Sequence, residues 1–115
     1  MEYMEYRKDY IAEKTGLMKR TITHWADIGI VKAVNSHEVK GGLARLFDER
    51  GVRKFCIARE LQKAGIELKT IKNELERIMK ALEGGADEIC IIETDITKTI
   101  LYLGKLREGT CGAQK

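Results

Sequence analysis

The chain has no proline, few aromatic residues (6%), only three cysteines and only two histidines. Each shortage excludes something. Without proline, helix ends must be marked by glycine and by capping side chains instead of a ring that lacks its N–H. Cys56, Cys90 and Cys111 are widely spaced and odd in number, so no disulfide framework is expected and reduced thiols are the simplest reading. There is no Cys-x-x-Cys pair, and His24 and His37 lie far from Cys90 and Cys111, so no metal site is expected. No apolar run approaches the roughly 20 residues that cross a bilayer. The first ten residues, MEYMEYRKDY, lack the apolar core of a signal peptide, and a cytoplasmic protein with no membrane partner is expected. No nucleophile–base pair, carboxylate dyad or Gly-rich phosphate loop stands out, so neither enzymatic activity nor a cofactor is expected.

What the chain does have is 43% hydrophobic and 34% charged residues, a globular balance, and at 115 residues enough length for one domain with a small appendix. Its net charge of +3 is unevenly placed. Residues 14–59 carry ten Lys and Arg against four acids, a surplus of six, whereas residues 73–115 carry six bases against eight acids. The first segment is suited to a polyanion and the second is not.

Periodicity divides the chain further. Asp9 is a candidate N-cap for a first helix over Asp9–Lys14, ended by Thr15-Gly16. A second helix is expected over Lys19–Ile28, with Ile22, Trp25 and Ile28 on one face and Gly29 closing it. Two helices joined by so short a turn make a helix-turn-helix. The β-branched run Ile30–Val34 and the run Leu43–Phe47 read as the strands of a hairpin, with Lys40 near its tip and Arg45 on the return strand. Asp48 caps a third helix, and Leu68, Ile71, Leu75, Ile78 and Leu82 give the fourth a sustained apolar stripe. After Gly84-Gly85, Glu88–Glu93 has strand composition. Thr94 or Asp95 then caps an expected last helix through Ile96, Ile100, Leu103 and Leu106, followed by a loose polar tail. Residues 1–83 are therefore read as a main domain and 84–115 as a strand–helix dimerisation appendix.

The run Thr15-Gly16-Leu17-Met18-Lys19-Arg20-Thr21-Ile22-Thr23-His24-Trp25, followed by Gly29-Ile30-Val31, resembles the start of the mercury-resistance regulator (MerR) family of bacterial transcription factors. Arg45-Leu46-Phe47-Asp48-Glu49 looks like that family's exit from the wing into helix 3. Leu61, Ala64-Gly65-Ile66-Glu67-Leu68 and Ile71 look like its Leu-x-x-x-Gly-[Phe/Ile]-x-Leu-x-x-Ile segment. The likeness covers residues 9–78. It departs from the family pattern in several places: the family's recognition-helix Arg falls on Thr23, its two Tyr fall on His24 and Trp25, its wing glycine falls on Leu43, and the Pro after the first wing strand is missing. The long dimerisation helix of metal-sensing members is missing too, since glycines at 84 and 85 break the fourth helix.

The resemblance implies a mainly α fold with a small β component, a winged helix-turn-helix. It also implies a nucleoid-associated transcriptional regulator that binds an inverted-repeat operator in double-stranded DNA as a homodimer, with RNA polymerase as a further partner. Lys19, Arg20, Thr21, Thr23, His24, Lys40 and Arg45 are the candidate DNA-binding residues. Trp25, on the stripe with Ile22 and Ile28, is read as core. Arg53 and Lys54 are read as a solvated face, and Cys56 and Cys90 as small buried residues. Two other functions fit the same elements: a protein-binding module of the chaperone-modulator type, and an architectural DNA-bending factor of the phage or plasmid excisionase type.

Overall fold

The computed structural model describes residues 5–39, 42–86, 88–92 and 98–102. Along the chain run α1 (Lys8–Thr15), α2 (Lys19–Asp27), β1 (Asn35–Val39), β2 (Gly42–Leu46), α3 (Glu49–Lys63), α4 (Leu68–Glu83), β3 (Glu88–Ile92) and β4 (Lys98–Tyr102).

The turn between α1 and α2 is built by two adjacent residues. Thr15 is buried, and its hydroxyl donates to the Ile11 carbonyl at 2.7 Å while accepting from the Leu17 N–H at 3.1 Å. Gly16 takes φ 79°, a left-handed conformation that side-chain-bearing residues rarely adopt, and its N–H caps α1 on the Ala12 carbonyl. The turn is thus specified by Thr-Gly itself. The start of α1 differs from the sequence expectation: the N-cap position is Arg7, and Asp9 lies within the first helical turn, its carboxylate engaged elsewhere.

The core lies beneath these helices. Ile11 of α1, Ile22 and Trp25 of α2, Phe55, Ile57, Ala58 and Leu61 of α3, and Ile71, Leu75, Ile78, Met79 and Leu82 of α4 are all buried in one cluster. The apolar stripe of α4 therefore faces the core as its spacing predicts. Three aromatic rings set how the parts meet. Phe55 stacks against Trp25, with centroids 6.3 Å apart and planes 9° apart, and meets Phe47 edge-on at 5.1 Å and 82°. Phe47 also exchanges two backbone hydrogen bonds with Tyr6, which ties the start of the chain to the wing exit. Asp48 caps α3 as expected, accepting from the Gly51 N–H at 2.8 Å.

The wing is displaced from its expected position. β1 occupies Asn35–Val39, a stretch read as loop, and pairs antiparallel with β2 in the register Asn35↔Leu46 to Val39↔Gly42. Ile30 and Val31, expected to begin the strand, are 5% and 1% exposed. Two consecutive buried side chains cannot alternate across a half-exposed ribbon. Core demand takes these β-branched residues, and the ladder starts only after Val34, whose N–H donates to the Leu46 carbonyl.

The appendix also departs from expectation. β3 forms where strand composition predicts it, but residues 98–102 of the expected last helix are strand β4, paired antiparallel with β3 in the register Glu88↔Tyr102 to Ile92↔Lys98. The Thr, Ile and Tyr content of Lys98–Tyr102 favours an extended chain, and the apolar spacing alone misidentified it as helix. The expected caps Thr94 and Asp95, and Leu103 and Leu106, lie outside the described residues. Cys56 is buried as expected but disulfide-bonded, which corrects the reading of three reduced thiols. A count of three leaves room for one bond, and spacing along the chain could not decide whether it forms.

Candidate nucleic-acid interface

α2 has two unlike sides. Ile22 and Trp25 are each 1% exposed and fix the helix in the core, so the opposite side faces outward. By helical periodicity Arg20, Thr23, His24 and Asp27 fall on that outward side. Arg20 and His24 are exposed, and Thr21 and Thr23 are half-buried. Arg20 has no ion-pair partner among the described residues. The helix begins on Met18, whose carbonyl accepts from the N–H groups of Thr21 and Ile22 while its side chain offers no cap.

Two of the expected DNA-facing cations carry carboxylate partners. The Lys19 ammonium lies 3.1 Å from Asp9 on α1, and this hydrogen bond holds the Asp9 carboxyl below its ordinary pKa. The Arg45 guanidinium donates to Asp27 and so joins β2 of the wing to the last turn of α2. Both pairs are exposed on the surface, so they orient side chains more than they stabilise the fold.

Between the start of α1, the outward edge of α2 and the wing lies an open cleft of about 470 Å³. Arg7, Lys8, Asp9, Thr23, Asp27, Ser36 and Arg45 contribute its polar lining. Thr23 and Arg45, expected on separate elements, meet here. Lys19, Arg20 and His24 continue the exposed surface along α2. Lys40 lies outside the described residues. Arg53 is exposed, as a solvated face requires, but Lys54 is not solvated: its ammonium is 2.9 Å from Glu76 and its side chain only 20% exposed.

Sequence reasoning missed Arg7 and Lys8, the N-cap and first residue of α1. It also missed the pairing roles of Asp9 and Asp27. Asp27 is one of only four acids in the basic segment 14–59, and that scarcity was the available signal. Among the described residues, no three side chains are grouped to hold a metal ion, and no helix is long and apolar enough to cross a membrane.

A helix-turn-helix followed by a two-stranded wing and a capped third helix defines a winged helix-turn-helix. The family model for MerR HTH family regulatory proteins matches residues 6–78, from the Tyr6 bridge through most of α4. The chain belongs to that family, and with it to the DNA-binding transcription regulators. No curated protein gives a significant match to it.

Proposed function

We propose that this protein is a sequence-specific transcriptional regulator that binds an inverted-repeat operator as a homodimer. In each subunit α2 enters a major groove, and the wing follows the neighbouring backbone or minor groove. The observation that carries this reading is the continuity of the outward side of α2 with Arg45 of the wing across one cleft. Lys19, Arg20 and Arg45 supply charge to phosphates, Thr21, Thr23 and His24 supply short donors to phosphate or base edges, and Lys40 extends the contact along the wing. The surplus of six positive charges over residues 14–59 supports a polyanionic partner.

The segment after α4 is the proposed dimerisation element. A two-stranded ribbon such as β3–β4, which adjoins α4, is marginal in water by itself, and a second copy of the segment gives it a further surface to pack on. The reading treats residues 1–83 as the DNA-binding unit and 84–115 as the appendix that joins two of them.

The alternative of a protein-binding module draws on one observation: Lys19 and Arg45 already have carboxylate partners within the chain. Selection of bound sequences from random duplex DNA separates the two readings. A regulator enriches a two-fold symmetric sequence with half-sites about one helical turn apart. No enrichment, together with no salt-sensitive binding to bulk duplex, overturns the DNA-binding reading.

A further inference from the structure

The cleft between α1, α2 and the wing contains two cations that neither the recognition-helix candidate α2 nor the wing supplies. Arg7 and Lys8 are exposed at the start of α1, and neither has an ion-pair partner among the described residues. Lys19 and Arg45 beside them are matched by Asp9 and Asp27. An anion entering the cleft therefore meets two positive charges held in no direct ion pair, although the Asp9 carboxylate lies near enough to interact with both. It also meets Thr23 and Ser36, two hydroxyl-bearing residues that line the same space.

The position of the cleft matters as much as its charge. It opens between the outward side of α2 and β2 of the wing. A duplex that takes α2 into its major groove and meets the wing beyond that groove must run one backbone across this gap. We propose that Arg7 and Lys8 belong to the DNA interface, and that the cleft they share with Thr23 and Arg45 seats phosphates of the strand passing from the major groove to the wing. This rests on the placement of α2 and the wing proposed above. It extends the interface to the start of α1, which lies outside the basic segment 14–59.

The test compares the full-length R7Q/K8Q variant with K69Q/K80Q, which removes two exposed cations on α4, away from the cleft. Fluorescence anisotropy on a labelled mixed-sequence duplex, between about 50 and 200 mM salt, gives the slope of log K against log salt for each. R7Q/K8Q is expected to flatten the slope by about 1.8, or about 0.9 for each phosphate no longer neutralised, while K69Q/K80Q keeps the wild-type slope. Thermal melts of both variants confirm that the fold is intact. If R7Q/K8Q shows the same slope as K69Q/K80Q while the wild type binds, the cleft is not part of the interface. If the wild type itself shows no salt-dependent binding to duplex, the parent reading of α2 and the wing falls as well.

Discussion

Arg45 of the wing and Asp27 at the end of α2 are joined by a direct charged hydrogen bond. This fixes the spacing between the two elements that the proposed function sets against neighbouring parts of a duplex. It also gives Arg45 two separable roles, as a tether and as a cation. D27N reduces the tether to a neutral hydrogen bond and leaves the cation, whereas R45A removes both. On a selected operator, R45A is expected to flatten the slope of log K against log salt by about 0.9, the loss of one phosphate contact. D27N is expected to keep the wild-type slope while weakening discrimination between operator and random duplex. Anisotropy titrations of both variants on both duplexes check this, and equal slopes for R45A and wild type would remove Arg45 from the interface.

Lys19 and Arg20 are adjacent at the start of α2 but differ in their surroundings. Lys19 must exchange Asp9 for a phosphate, whereas Arg20 has no ion-pair partner among the described residues to give up. R20A is therefore expected to weaken bulk-duplex binding more than K19A, although each flattens the salt slope by about 0.9. D9N, which leaves Lys19 without its carboxylate, is expected to tighten bulk binding. Titrations of the three variants at one low salt concentration give the ranking, and identical affinities for K19A and R20A would show that the Asp9 pair carries no weight.

The parts of the fold legible in the sequence are those in which local spacing and burial agree. The stripe from Leu68 to Leu82, the Asp48 cap, the Thr15-Gly16 turn and the place of Trp25 in the core are of this kind. β1 was not legible, because Ile30 and Val31 have strand composition but are taken up by the core, and the polar residues after them form the ladder instead. β4 was misread because Ile96, Ile100 and Leu103 can be spaced along a helix as easily as along an extended chain. In the candidate interface the cations were legible in the sequence and their carboxylate partners were not. Asp27 and Arg45 stand eighteen positions apart, and only the folded wing brings them together.

A second charged network, away from the cleft, makes stability depend on pH. Arg50 on α3 donates to both Glu76, at 2.8 Å, and Glu83, at 2.8 Å, on α4, and Lys54 reaches Glu76 at 2.9 Å. Hydrogen bonds from Arg50 and then from Lys54 lower the Glu76 carboxyl from 4.5 to about 2. A carboxylate lowered by folding contributes stability above its unfolded value and loses it as pH falls through the folded one. Because Glu76 is half exposed, solvent screening limits its worth to about 1 kcal/mol. E76Q is expected to be less stable than wild type by about that amount at pH 7, and the gap should close as pH falls from about 4.5 towards 2. Urea melts followed by circular dichroism across that range measure the gap, and a gap independent of pH would refute the linkage.

Trp25 falls where the family pattern that the sequence resembles has a tyrosine, so its replacement tests whether the position serves packing or contact. It is 1% exposed and stacked on Phe55, which in turn meets Phe47 at the wing exit. Truncation to alanine opens a cavity at the junction of α2, α3 and the wing. W25A is expected to cost about 3–5 kcal/mol, a large share of the roughly 5–15 kcal/mol that holds a small domain together. W25F keeps a ring against Phe55 and is expected to cost less. The decisive comparison is DNA affinity at a temperature where W25F is fully folded. If Trp25 only packs, W25F binds the operator with wild-type affinity and salt slope, and any loss in W25A follows the unfolded fraction measured by circular dichroism. A folded W25F that loses operator affinity would instead place the indole at the duplex.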